Sequence, residues 1–280
     1  VIYASDLDQT LIYSTRSVGL ALDSPLIMAA ETVNGKITSY ISIQACSILT
    51  TMAKEMEFIP VTTRTMEQYN RIELFREVIQ PKYAITSNGG NILFDGIPDL
   101  EWNQFVHDDI VGKSASANEV KTLFDQIGND DWILGERFCD ELFFSIVINR
   151  EKMPLDEVHQ VSKEIRNLGW EVSVQGRKIY LVPISVSKSA ALSHLQQRIG
   201  ADIIVASGDS LLDRCLLDYA THPIAPKHGE LYREELRFPG TMAYSFTSTS
   251  GVLAADEIMK FVSKVSYSND KVMANKIERG

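Results

Sequence analysis

The sequence predicts an α/β protein in which a parallel sheet with helices on both faces is interrupted by an inserted α+β unit. Three observations carry that expectation. Short apolar segments alternate with helical patterns from residue 1 to about 91, the strand–helix–strand rhythm of a parallel sheet. From 92 to about 182 the order changes to helix, strand, strand, twice over, which is the grammar of an antiparallel module. Parallel-sheet grammar then resumes to the end. The expected units are therefore a discontinuous core, 1–91 with 183–280, and an insertion, 92–182.

Val1-Ile2-Tyr3-Ala4-Ser5 is apolar and partly β-branched and stops abruptly at Asp6-Leu7-Asp8, so it reads as a buried strand feeding a polar turn. Asn34-Gly35 lies between two alternating runs in residues 27–43, a strong hairpin signal because both turn positions must accept positive φ. A helix is expected over about 43–56, with Ile48, Leu49 and Met52 on one side. The strand Phe58-Ile59-Pro60-Val61 ends in Thr62-Thr63-Arg64-Thr65, and a helix follows over about 66–79. Tyr83-Ala84-Ile85-Thr86 then leads into the loop Ser87-Asn88-Gly89-Gly90. Within the insertion the pattern gives strands at 92–94, 132–138, 142–149, 170–174 and 178–182, and helices at about 119–127 and 155–168. Trp102, Trp132 and Trp170 are expected to pack it. A helix at about 188–199, strands at 202–206, 219–225 and 241–246, and a helix at about 252–265 complete the core, with a fraying polar tail from Ser266.

Composition narrows the function class. With 45% hydrophobic and 23% charged residues among 280, the chain is an ordinary globular one. Its charge, 27 − 37 = −10, repels polyanions and argues against a nucleic-acid partner, while leaving room for a small anion in a locally positive pocket. Cys46, Cys139 and Cys215 are odd in number and contain no C-x-x-C, which excludes a disulfide framework and a zinc knot and points to the reducing cytoplasm. No apolar run approaches the roughly 20 residues of a membrane span, and nothing at the start resembles a signal peptide, so no membrane partner is expected.

Four polar clusters fall at strand ends or helix starts: Asp6-x-Asp8-x-Thr10, Thr62, Lys188, and Asp209 with Asp213. Ligands of open α/β sheets bind at that end. Asp6, Asp8 and Asp209, converging from two strand ends, would repel one another unless a hard cation sat between them, and oxygen ligands with room for water suit Mg²⁺. A carboxylate beside such a cation can attack phosphorus. A second carboxylate two residues on can give a proton to the leaving oxygen and later take one from water. A lysine and a hydroxyl would complete a cage around the phosphoryl oxygens.

With these residues in this order, nearly the whole chain resembles the haloacid dehalogenase (HAD) superfamily of phosphohydrolases. Motif I is similar to Asp6-Leu7-Asp8-Gln9-Thr10-Leu11, motif II to Thr62 in Val61-Thr62-Thr63-Arg64, motif III to Lys188 in Val186-Ser187-Lys188-Ser189, and motif IV to Gly208-Asp209-Ser210-Leu211-Leu212-Asp213. The resemblance implies a Rossmann-like core with Asp6 as the nucleophile forming an aspartyl-phosphate, Asp8 as general acid and base, and Thr62 and Lys188 binding the phosphoryl group. Mg²⁺ would be held by Asp6, the Asp8 carbonyl and Asp209, with Asp213 in support. An insertion between motifs II and III corresponds to a C2-type cap, and its doubled order is similar to subclass IIB, which includes Cof-type, sucrose-phosphate and mannosyl-3-phosphoglycerate phosphatases. Thr10, Thr63, Arg64, Asn88 and Ser210 are the expected substrate contacts. Two positions depart from the common pattern: Leu212 stands where Asn is frequent, so that a polar contact to the phosphate site is either missing or replaced by one from Ser210, and Thr63 stands where Gly is frequent.

The function expected is Mg²⁺-dependent hydrolysis of a small phosphorylated metabolite, a sugar or glycoside phosphate, with the cap closing over it. A sugar-phosphate mutase and a catalytically idle binding module share many of these residues. Arg137, Arg177 and Lys178 are the basic cap residues that could meet an anionic or sugar group. Lys227 and His228 are expected in structural or surface roles, with an approach to the site after motif IV as the alternative.

Overall fold

The computed structural model describes the backbone of residues 1–277 and the side-chain surroundings of residues 1–268. The chain opens with β1 (Ile2–Ser5) and β2 (Tyr13–Ser14), the hairpin β3 (Ile27–Val33) and β4 (Lys36–Ser42), and α1 (Ile43–Met52). Next come β5 (Glu57–Pro60), α2 (Met66–Asn70), a π-helical segment Leu74–Ile79, and β6 (Tyr83–Thr86), β7 (Asn91–Phe94) and β8 (Ile97–Pro98). Then follow α3 (Leu100–Lys113), α4 (Ala117–Phe124), β9 (Ile133–Cys139), β10 (Phe143–Ile148), α5 (Leu155–Asn167), β11 (Trp170–Gln175) and β12 (Lys178–Pro183). The last part holds α6 (Lys188–Ile199), β13 (Ile204–Ser207), α7 (Arg214–Tyr219), β14 (His222–Ala225), α8 (Glu230–Arg237), β15 (Ser245–Phe246) and α9 (Val252–Ile277).

Five strands form a parallel sheet in the order β15-β14-β13-β1-β5. A parallel bridge from Val61 to Ile85 joins β5 to the antiparallel β6-β7-β8. Strand β1 is buried on both faces, as a central parallel strand must be. Tyr3 packs into one apolar cluster with Phe58, Leu49 and Ile258, while Ile2 and Ala4 pack into the other with Ile59, Leu192 and Leu216. The register sets Ser5 beside Ser207 and Pro60, so the carboxyl ends of three strands stop at one level. The Asn34-Gly35 turn has φ of 51° and 72° and closes the β3–β4 hairpin as expected.

The second sheet is antiparallel, in the order β11-β12-β10-β9. Helices α4 and α5 cover one of its faces around Phe124, Trp132, Ile146, Ile165 and Trp170. Its root is joined to the core: Cys139, Leu142, Phe143, Tyr180 and Val182 belong to the same apolar cluster as Ile2, Ile59 and Ile85.

The mixed α/β architecture agrees with the sequence, and several elements differ in detail. The strand expected at 92–94 as part of the insertion is the antiparallel partner of β6. Helix α3 escaped the periodicity because only Trp102 and Val106 of its 14 residues are buried; Asp99 caps it, accepting from the N–H groups of Glu101 and Trp102. Trp102 packs on the core rather than within the inserted unit, donating its indole N–H to the Gly89 carbonyl at 3.0 Å. The single helix expected over 66–79 is two segments. At ~100° per residue a regular helix would turn Leu74 nearly opposite to Ile72, yet both are buried. Short helices α7 and α8 lie where no helix was expected, and β14 and β15 are shorter than the strands read at 219–225 and 241–246. Helix α9 runs on to Ile277, past the fraying expected from Ser266, because no Gly or Pro interrupts 252–277; the end of that tail, 278–280, lies outside the described residues. Among the described residues no helix is long and apolar enough to cross a membrane.

Candidate active site

Asp6 leaves β1 on a ladder bond from its N–H to the Ser207 carbonyl at 2.8 Å, and the turn that follows is wound tightly on Leu7. The Leu7 carbonyl accepts from the N–H groups of Thr10, Leu11 and Ile12, and Gln9 takes φ of 64°. This compact loop directs Asp6 inward, 6% exposed, and leaves the Asp8 carboxylate at the rim, half exposed.

Lys188 opens α6 and is 1% exposed. Its Nζ donates to Asp6 Oδ1 at 2.8 Å, Asp213 Oδ1 at 2.5 Å and the Val61 carbonyl at 3.2 Å, which uses all three protons. Burial alone would lower its pKa, but the charges of Asp213 and Asp6 prevail and hold it well above the ordinary lysine value. The other oxygen of Asp213 accepts from Asp209 N–H at 3.1 Å and from the N–H and hydroxyl of Ser210 at 2.9 and 2.7 Å. Gly208 permits this approach, since a Cβ there would lie 2.4 Å from Asp213 Cβ.

Asp6, Asp209 and Asp213 each offer an oxygen within 4.8 Å of the others. Fully ionised, three carboxylates and one lysine would leave −3 + 1 = −2, the charge that a divalent cation balances. Burial, then the charge of Asp213, push the Asp6 pKa up to about 7, and burial, Asp213 and Asp6 together push Asp209 well above the carboxylate range. Hard oxygen donors whose charges oppose one another, with Asp213 already saturated by neighbours, form a site that a hard cation fits.

Thr62 follows β5, fully buried, its N–H on the Ile85 carbonyl and its Oγ1 accepting from Arg64 N–H at 3.1 Å. Thr63 is half-buried at the same turn. Asn88, with φ of 58°, donates its Nδ2 to the Val186 carbonyl at 3.2 Å and keeps its Oδ1 buried without a partner among the described residues.

Three expected substrate contacts are otherwise engaged. The Thr10 hydroxyl is fully buried and donates to Asp6 Oδ2 at 3.3 Å. Ser210 gives its hydroxyl to Asp213, and Leu212 is packed in the apolar core. Arg64 grips Asp8 through Nε and Nη2, both at 2.8 Å, and Glu31 through Nη1 at 2.9 Å. Burial would raise the Asp8 pKa, but Arg64 outweighs it, and with Lys178 of β12 in support holds Asp8 below the usual carboxylate value.

Sequence reading missed Glu31, Ser39 and Asp140. Glu31 was signalled only by an acidic residue in phase with Ile27 on a half-buried strand. Asp140, in the β9–β10 turn, accepts from Met66 N–H at 3.1 Å, Asn91 Nδ2 at 3.4 Å and the Ser87 hydroxyl, binding the second sheet to both loops that carry Thr62 and Asn88. His228 braces the loop that follows Asp8: its ring bonds the Gln9 carbonyl and Gly251 N–H and packs edge-on to Tyr13.

The sequence profile of sucrose-6F-phosphate phosphohydrolase matches residues 1–225. No curated protein matches the chain. Among solved structures, the sucrose-phosphatase of Synechocystis sp. PCC6803, in complex with sucrose and phosphate, superposes with a TM-score of 0.66 at 16% identity, covering 93% of this chain and 97% of that one. BT4131, a HAD subclass IIB sugar phosphatase, gives 0.59 at 12% identity over 94% and 98%. The Thermoplasma acidophilum protein 0175 gives 0.58 at 13% over 92% and 96%. At these identities the likeness to the solved structures is one of fold.

Proposed function

The chain belongs to the sucrose-6F-phosphate phosphohydrolase family, and from that premise we propose that it hydrolyses a sugar phosphate through an aspartyl-phosphate on Asp6, with Mg²⁺ as cofactor. It is a HAD-type phosphoric monoester hydrolase with a subclass IIB cap. The observation that carries the residue assignment is the Lys188 ammonium shared between Asp6 and Asp213 beneath a third buried carboxylate, Asp209.

Asp6 attacks phosphorus, an O–P bond forms, and the ester O–P bond breaks with its electrons on the sugar oxygen, which takes a proton from Asp8. Water then attacks the phosphoryl group as Asp8 recovers a proton, and phosphate leaves with Asp6 regenerated. Arg64 keeps Asp8 ionised before substrate arrives; a phosphate dianion seated against Asp6 pulls Asp8 upward again, so the proton is taken up as substrate binds. Thr62 Oγ1 accepts from Arg64 N–H, which leaves its own proton to donate to a phosphoryl oxygen. Lys188 holds positive charge beside the oxygens as they gain negative charge. Mg²⁺, held by Asp6, the Asp8 carbonyl and Asp209 with Asp213 in support, would screen the repulsion between Asp6 and the substrate. The inserted unit acts as the cap: Lys178 lies close enough to draw Asp8 downward, and its face of the sheet, shared with Tyr180, is the wall assigned to the sugar. The setting assigned is cytoplasmic, on the unpaired state of all three cysteines.

The test is phosphate release from sucrose 6F-phosphate with Mg²⁺. We expect Asp6→Asn to lower turnover by ~10³-fold or more, and chelation of the metal to abolish it. Unchanged turnover in Asp6→Asn overturns the nucleophile, and an isomeric sugar phosphate in place of free phosphate identifies a mutase.

A further inference from the structure

Glu31 is a carboxylate 3% exposed on a hairpin that contributes nothing to the motifs of the site. A buried carboxylate is costly unless it is paired and hydrogen-bonded. Here the pairing is specific: Arg64 Nη1 at 2.9 Å and Ser39 Oγ at 3.2 Å meet Oε2, and Arg71 Nε lies 3.5 Å from Oε1. The hairpin is irregular at this residue, with register shifts on both sides of it, between Ala29 and Glu31 and between Glu31 and Thr32. Such bulges re-aim a side chain and gather next to active sites.

The partner of Glu31 explains what the re-aiming does. Arg64 is a rigid planar fork; its Nε and Nη2 hold the two oxygens of Asp8 while Nη1 is held by Glu31. Fixing one edge of the guanidinium fixes the plane of the other. Asp8 is half exposed, and Arg64 is the cation its carboxylate is paired with among the described residues.

We infer that Glu31 is a positioning residue: acting through Arg64, it orients the Asp8 carboxylate for proton transfer to the leaving oxygen. This rests on the reading of Asp8 as general acid. A sugar alkoxide cannot leave without a proton, whereas p-nitrophenolate can, so the two leaving groups separate acid positioning from general damage to the fold.

The experiment compares kcat/KM for sucrose 6F-phosphate and p-nitrophenyl phosphate in wild type, Asp8→Asn, Glu31→Ala and Glu31→Gln, with thermal midpoints as a check on folding. Glu31→Ala should lose about tenfold more on the sugar phosphate than on the aryl phosphate, the scale of a misplaced acid. Glu31→Gln, isosteric and still able to accept from Arg64, should fold as wild type and recover part of that difference. Equal losses on both substrates in the Glu31 variants, with a difference retained in Asp8→Asn, overturn this inference and leave the phosphatase intact. A faster Glu31→Ala enzyme overturns it also. If Asp8→Asn itself shows no dependence on leaving group, the acid assignment falls and this inference with it, while the Asp6→Asn assay reports separately on the nucleophile.

Discussion

At the floor of the site Asp6 and Asp213 share one fully buried ammonium, 2.8 and 2.5 Å from Lys188 Nζ. At the seam between the core and the four-stranded sheet, Asp140 is held, among the described residues, by neutral donors alone: the Ser87 hydroxyl, Met66 N–H and Asn91 Nδ2. The difference follows from solvent. Asp213 is 0% exposed and its neighbours Asp6 and Asp209 carry the same charge, so hydrogen bonds cannot suffice and a cation must be built in. Asp140 is half-buried and stands apart from those three, so neutral donors are enough. The floor is therefore a crowded carboxylate cluster with one built-in cation, and its remaining negative charge develops fully only when a divalent cation displaces the protons that burial favours. The seam is a set of replaceable hydrogen bonds that fixes the loops bearing Thr62 and Asn88 against the cap.

Removing the built-in cation should produce the largest effect. Lys188→Met leaves two buried carboxylates uncompensated, and breaking such a pair costs about 3–5 kcal/mol. We expect urea unfolding without metal to show a loss of that order and phosphatase turnover to fall by ~10²-fold or more, as when an electrostatic stabiliser of a transition state is removed. Added Mg²⁺ should restore part of the stability and little of the turnover. A variant as stable as wild type without metal would show that the carboxylates at the floor are protonated, and the contrast with the seam would disappear.

The floor was legible in the sequence and the seam was not, for a physical reason. Asp6, Thr62 and Asp209 each sit just beyond an apolar strand, and parallel register brings strand ends together whatever lies between them. Lys188 was legible because it opens a helix at the right point in the same order. Asp140 and Glu31 depend instead on where a hairpin tip and a bulged strand come to rest, a matter of tertiary packing with no local period. The same limit applied to fold elements. The Asn34-Gly35 hairpin was clear because its turn chemistry is local, whereas α3, with two buried residues, offered no apolar stripe to read. Thr10, Arg64 and Ser210 lie in the loops around Asp6, Asp8 and Asp213, but the direction of their side chains is set by carboxylates distant in sequence or by the turn itself.

A second test asks whether the floor behaves as an unfilled charge site when the divalent metal is withheld. Burial and the charge of Asp213 raise Asp6 to about 7 in the folded protein. A carboxyl whose folded pKa exceeds its unfolded value contributes stability that is complete below the ordinary carboxylate range of about 4 and is lost as pH rises through the folded value. Without metal, the thermal midpoint should therefore fall between about pH 5 and 8, and the increment gained on adding Mg²⁺ should grow over the same interval, because the metal binds the ionised form. Measuring the increment rather than the midpoint cancels other titrating groups, including His228, whose burial lowers its pKa and acts in the opposite sense. An increment independent of pH would mean that the metal does not compete with protons at Asp6.

The seam should give the smallest change and the most selective one. Asp140→Ala leaves Ser87, Met66 N–H and Asn91 without their acceptor, which should cost about 1–3 kcal/mol at a half-buried position. It also places alanine at φ of 47°, a conformation that Asp and Asn tolerate better. Asp140→Asn keeps one acceptor oxygen and the turn preference, so about half of the loss should return. Because Met66 and Ser87 flank the loops of Thr62 and Asn88, the kinetic effect should appear mainly in KM for the sugar phosphate, whereas a change at the floor appears in kcat. A fall in kcat equal to that of Lys188→Met would place Asp140 with the charges at the floor and erase the distinction between the two clusters.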